Sequence, residues 1–230
     1  MKLPKLKLAK FIRRVNRFVA LMECDGYQIV AHVANTGRMA ELMTETNPMY
    51  VAPVKCRQNR KTAYDLALVR YRDVLVGVDS RMPNLIMREA IQESMLAEFR
   101  GYETIKSEVT YGGSRLDFRL SGEAPVTYLE TKSVNLVQDG VALFPDAPTQ
   151  RGKKHLDTLQ SIVESGYRAS AVFVIQRSDA KSFKPNAVAD SDFAKALTAA
   201  NSAGVDTYAY NCEVNLKEIR IASRVPVELD

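Results

Sequence analysis

The hydrophobic period changes once along this chain, at one short stretch. Up to about residue 79, apolar side chains alternate with polar ones in short runs; from residue 84 they recur every three or four positions. Alternation marks half-buried strands, and the three-to-four spacing marks amphipathic helices. A chain that switches from one to the other predicts two modules, an all-β one and an α/β one. The stretch Asp79-Ser80-Arg81-Met82-Pro83-Asn84 is the boundary, so the expected domains are residues 1–82 and 83–230.

Five strands are expected in the first module. Phe18 to Glu23 and Tyr27 to Val33 flank Asp25-Gly26, a hairpin signal; Val51 to Lys55, Thr62 to Tyr71 and Val74 to Val78 follow. Five short strands suit a small barrel such as an OB-fold, a scaffold that takes oligonucleotides across a sheet face. In the second module a helix is expected over 84–99, with Met87, Ala90, Ile91, Met95 and Phe99 on one face. Strands Thr104 to Tyr111, Ser114 to Leu120 and Pro125 to Val134 come next. A helix over 150–164, the apolar strand Ala169 to Ile175 and a helix over 190–202 follow, and strands near Val205 to Tyr210 and Glu218 to Ala222 complete an α/β domain.

Charge divides with the period. Residues 1–72 hold 14 Lys/Arg against 5 Asp/Glu, and the remainder hold 18 against 22. Seven basic residues precede the first acid. A basic barrel suits a polyanion, DNA first; a solvated basic face is the bland alternative. Apolar residues make up 46% of the chain, and no run of them nears the roughly 20 that a membrane span needs. The basic start lacks a clean apolar run behind it and reads as part of the mature fold. Cys24, Cys56 and Cys212 are odd in number and far apart, which fits reduced thiols in the cytoplasm.

The chemistry-bearing residues fall on successive strands. Asp117 lies in Ser114-Arg115-Leu116-Asp117-Phe118, and Glu130 and Lys132 in Tyr128-Leu129-Glu130-Thr131-Lys132-Ser133. Residues two apart on a strand share a face, so Glu130 and Lys132 point the same way. On neighbouring strands Asp117 and Glu130 would meet. A divalent cation removes the repulsion of two such carboxylates, and oxygen ligands suit Mg²⁺ or Mn²⁺. A lysine beside them can activate the attacking water or stabilise charge on a phosphate. An ion pair on a strand face is the alternative. Glu89 and Glu108 are candidate additional metal ligands. Arg14, Arg17, Arg38, Arg57, Arg60, Lys61, Arg115, Arg151 and Lys154 are the candidate nucleic-acid contacts; Arg151 and Lys154 open the helix over 150–164, a natural phosphate site. His32 and His155 each stand alone and receive no role.

These segments together resemble the sugar fermentation stimulation protein A (SfsA) family. The likeness is carried by Asn35-Thr36-Gly37-Arg38-Met39, Arg88-Glu89-Ala90-Ile91, Glu108-Val109, Ser114-Arg115-Leu116-Asp117-Phe118, Glu130-Thr131-Lys132-Ser133, Phe144-Pro145-Asp146-Ala147 and Lys154-His155-Leu156. It implies an N-terminal OB-fold barrel followed by a restriction-endonuclease-like α/β domain of the PD-(D/E)xK type. It also implies DNA binding and a link to sugar use, maltose in particular. Asp117, Glu130 and Lys132 match the nuclease motif; Glu89 and Glu108 match acidic family positions. Gln150 stands where some relatives carry an acid, and 40–60 follows the family pattern less closely. The expectation is a DNA-binding protein with a divalent-metal-dependent nuclease domain, a homodimer being one possible assembly. Its alternative is a regulator that keeps the nuclease fold as a scaffold.

Overall fold

A computed structural model describes residues 1–54 and 62–229. The first domain is built from β1 (Lys7–Asn16), β2 (Val19–Cys24), β3 (Tyr27–His32), β4 (Pro48–Pro53) and β5 (Tyr64–Tyr71). They are ordered β3-β2-β1-β4-β5, and a parallel contact of Ala31 and His32 with Tyr64 and Asp65 closes the barrel. This is the OB arrangement. A sixth strand, β6 (Val74–Gly77), folds back on β5 as a hairpin.

One barrel strand differs from the sequence reading. β1 supplies the first stave, whereas Val74 to Val78 was expected to be the fifth. Only Ala9 and Phe11 of β1 are buried, between exposed Lys and Arg. Register shifts after Phe11 and after Arg14 break the alternation that a strand would show. The 33–47 connection contributes Met39 and Leu42 to the core, which closes over Phe11, Met22, Met49, Val51 and Leu66.

The chain leaves the barrel through Asp79, whose buried carboxylate holds Arg81 (Nε to Oδ1, 2.9 Å). Helix α1 (Met82–Gln92) then begins, with Pro83 in its first turn where no donor is lost. It stops well short of residue 99. Ser94 turns with φ +54, and a 3-10 turn at Ala97–Phe99 buries Leu96 and Phe99 while Met95 faces solvent.

Next come β7 (Tyr102–Tyr111), β8 (Ser114–Gly122) and β9 (Thr127–Val134), then a hairpin of β10 (Leu136–Gln138) and β11 (Val141–Phe144). Helix α2 (Gln150–Glu164) leads to β12 (Arg168–Ile175), and β13 (Ser182–Pro185) to α3 (Ser191–Ser202), β14 (Asp206–Val214) and β15 (Ile219–Val225). The main sheet is ordered β15-β14-β12-β9-β8-β7, with β9, β12 and β14 parallel and both flanks antiparallel. Strand-helix-strand crossovers put α2 and α3 on one face, over Leu116, Phe173 and Phe193; α1 covers the other, over Phe118, Leu129 and Val174. β12 lies between the two layers, hence its unbroken apolar run. The small sheet β10-β11-β13 was not expected; its strands are three or four residues long, too short to show a period.

The two domains touch at several points. Residues before β1 pair with the far edge of the α/β sheet, where the Met1 ammonium bonds the Ile219 carbonyl (2.8 Å). The Gly77 amide donates to the Gln176 carbonyl (2.8 Å), and Asp146 reaches the 35–39 loop. No helix among the described residues is long and apolar enough to cross a membrane.

Candidate functional site

Strands β8 and β9 part company at the acids. Their ladder pairs Leu120 with Thr127, Arg119 with Tyr128 and Phe118 with Leu129, then stops. In that register the next residues to face each other are Asp117 and Glu130. Where the ladder opens, the Asp117 carboxylate takes over its hydrogen bonds. Its Oδ2 accepts from the Thr131 amide (2.7 Å) and lies 2.8 Å from the Thr131 hydroxyl; Oδ1 accepts from Asn84 Nδ2 (2.7 Å) at the start of α1. The Thr131 hydroxyl also contacts Asn84 Oδ1. Two elements, β9 and α1, therefore fix one carboxylate.

Glu130 is fixed from the opposite face of the sheet. Lys132 Nζ donates to its Oε1 (2.7 Å), and His155 of α2 bonds the same oxygen. Arg151 Nε donates to His155 Nε2 (3.4 Å). An arginine only donates, so Nε2 accepts and Nδ1 carries the proton given to Glu130. The other oxygen, Glu130 Oε2, is buried with no hydrogen-bond partner.

The two acids are driven apart in acidity. Burial raises the Asp117 pKa, and the neighbouring Glu130 charge adds to that. Burial also pushes Glu130 up, but the Lys132 ammonium and the bonds from His155 and Lys132 outweigh it and hold Glu130 below the usual range. Two neighbouring carboxylates whose acidities are pushed in opposite directions mark a candidate functional site.

Thr131 and Lys132, the residues that follow Glu130 on β9, line a cleft of about 350 Å³ between the domains, and the two acids lie behind that lining. Arg17, Thr36 and Ser80 line its barrel side, Lys132 and Asn135 its floor, and Arg151 the start of α2. Asp146 bridges it: Oδ2 accepts from the Met39 amide (3.2 Å) and lies against Gly37. A Cβ at position 37 would sit 2.3 Å from that oxygen, so an alanine there would have to displace the Asp146 carboxylate.

The other sequence candidates divide. Arg14 is a correction: its guanidinium bonds the carbonyls of Arg17 (2.7 Å), Gly37 (3.0 Å), Arg38 (3.0 Å) and Asn35 (3.1 Å). It staples the 35–38 loop to β1 and has no donors facing solvent for a phosphate. Glu89 is bound to the Met1 ammonium, which rests on β15. That strand is three ladder spacings from β9, about 14 Å, so Glu89 is not at the fork. Glu108 faces Asp117 across the β7–β8 register, with φ +53, but its carboxylate is exposed and 3.8 Å from Arg115. Among the described residues no three His, Cys, Asp or Glu side chains converge on one point, so the four acids do not form a ready-made cluster. Arg17, Arg38, Arg115, Arg151 and Lys154 are exposed, Lys154 donating to the Gly113 carbonyl (2.8 Å). Arg57, Arg60 and Lys61 lie outside the described residues.

Sequence reasoning missed His155, Asn84 and Thr131. For His155 a signal existed. Gly152, His155, Leu156 and Leu159 repeat at helical spacing on the buried face of α2, which makes the histidine a polar group placed in an apolar row.

Comparison with known proteins bears on the same two domains. A family model described as the SfsA N-terminal OB domain matches residues 12–78, and one described as the sugar fermentation stimulation protein RE domain matches residues 81–218. The chain belongs to the SfsA family. A sugar fermentation stimulation protein homolog of Desulforamulus reducens is 45% identical over 227 residues, covering 99% of this chain and 94% of that protein. A homolog of the same name from Moorella thermoacetica is 44% identical over 222 residues, covering 96% of each. Among solved structures, Pyrococcus furiosus SfsA in complex with Ca²⁺ superposes with a TM-score of 0.92 at 31% identity, covering 99% of this chain and 98% of that one. The SfsA likeness accounts for both domains.

Proposed function

We propose that this SfsA protein binds DNA and hydrolyses phosphodiester bonds with a divalent cation, Mg²⁺ or Mn²⁺. One observation carries the reading: the β8–β9 ladder stops just before Asp117 and Glu130, and Glu130 keeps a buried oxygen without a partner. A buried anionic oxygen left unsatisfied is costly, and a cation is the partner that suits it. The donor set is all oxygen, which fits a hard ion. Asp117 and Glu130 would hold it, with Glu108 able to join by rotating its exposed side chain. Pyrococcus furiosus SfsA has been solved with Ca²⁺, which supports a divalent cation here.

A bound cation supplies Lewis acidity and neutralises charge on the phosphodiester. The chain's own residues supply the rest. Lys132, only 12% exposed at the cleft floor, places an ammonium where negative charge develops on the phosphate oxygens. Arg17 and Arg151 hold the flanking backbone from the two walls. Hydrolysis adds water across one P–O bond and leaves one strand ending in phosphate and one in hydroxyl. The test is cleavage of single- and double-stranded DNA by the purified chain in Mg²⁺, in Mn²⁺ and in EDTA, beside Asp117→Ala. Cleavage that needs metal and disappears in the variant supports a nuclease. Salt-sensitive binding with no cleavage in either metal supports instead a DNA-binding regulator on a nuclease scaffold.

A further inference from the structure

Glu130 and Lys132 lie deep: their side chains are 6% and 12% exposed. Lys132 lines the cleft of about 350 Å³ between the domains. The Asp146 bridge to Gly37 and Met39 keeps the walls together. A strand with unpaired bases can turn them toward the barrel while its backbone passes Lys132, whereas the bases of a duplex are paired with one another and are not free to stack.

The barrel surface leading to the cleft has the matching chemistry. Phe18 is 46% exposed and follows Arg17, a cleft residue, in the turn between β1 and β2. Beside it, Arg13, Leu21 and Val30 form one outward row across β1, β2 and β3. Apolar and aromatic side chains among cations suit unpaired bases that stack while their phosphates are neutralised. The seven basic residues before the first acid belong to this same end of the chain.

We propose that the substrate is a single strand of DNA, which stacks on Phe18, passes Arg17 and lays its backbone over Lys132. This rests on the nuclease reading and narrows its substrate. The full-length chain is titrated into a labelled DNA strand, the same sequence as duplex, and the same sequence as RNA, with fluorescence anisotropy read in Ca²⁺. Cleavage of each is followed in Mg²⁺ and Mn²⁺. The single DNA strand is expected to bind at least tenfold more tightly than the duplex and to be cut faster. Phe18→Ala is expected to weaken strand binding about tenfold without changing duplex binding, and Phe18→Tyr, which keeps a stacking ring, to restore it. Phe18 is exposed, so both variants should fold. Equal binding and cutting of duplex, preference for RNA, or indifference to Phe18→Ala would each overturn the proposal. Absence of cleavage of every substrate ends the nuclease reading instead, while anisotropy still scores the preference for a single strand.

Discussion

Glu130 is the residue on which the site turns, because its two oxygens have different surroundings. Oε1 is saturated by Lys132 and His155, and Oε2 has nothing. On the proposed metal reading His155 is a positioning residue: it holds Oε1 and leaves Oε2 without a partner. Partners of this kind are worth about 10–100-fold in metal affinity. His155→Ala should weaken Mn²⁺ binding by about that factor, read by electron paramagnetic resonance titration, and His155→Gln should recover part of it. Unchanged affinity in the alanine variant would remove the role. Glu41 makes a separate point about burial. Its Oε1 is buried without a partner, and burial raises its pKa despite the offsetting Arg177 charge. A carboxyl whose pKa is higher folded than unfolded costs stability above the ordinary carboxyl range and nothing below it. Glu41→Gln should raise the thermal midpoint at pH 7, and the gain should vanish as pH falls below about 4. A gain independent of pH would show that charge is not its origin.

At the scale of elements, the helices of the second domain were legible and the small sheet was not. Asp190 shows why. Its carboxylate caps α3, accepting from the Phe193 amide (2.9 Å). It also accepts from the Thr149 amide (2.7 Å) at the start of α2, a link between distant segments that spacing cannot reveal. Losing both bonds should cost about 2 kcal/mol, so Asp190→Ala should lower the thermal midpoint by about 4–8 °C, and Asp190→Asn by less. An unchanged midpoint would contradict a double cap. The same limit explains β1, whose bulges mask its alternation, and α1, which ends at Gln92 although apolar spacing runs on to Phe99. The shared face of Glu130 and Lys132 was readable because strand spacing fixes faces, and Lys132 does bond Glu130. His155 was not, because its partner is 25 positions away on another element.

At the scale of the molecule, the contact between Asp146 and the 35–39 loop joins two walls of the cleft. Each side of that contact was visible as a motif, Asn35 to Met39 and Phe144 to Ala147, with no hint that one rests on the other. The Gly37 site leaves no space for a methyl group, since a Cβ there would overlap Asp146 Oδ2 at 2.3 Å. Gly37→Ala must therefore displace the carboxylate and free the Met39 amide. The pairing before β1 and the bond from Gly77 to Gln176 remain, so the domains stay joined while the cleft widens. The expected result is a larger radius of gyration by small-angle scattering and a smaller preference for single-stranded over duplex DNA. Asp146→Ala removes the same contact from the other side. Residues that act through one contact are not additive, so adding Gly37→Ala to Asp146→Ala should change neither quantity further. If the two changes instead add in full, Gly37 acts on something other than Asp146, and the width of the cleft is set elsewhere.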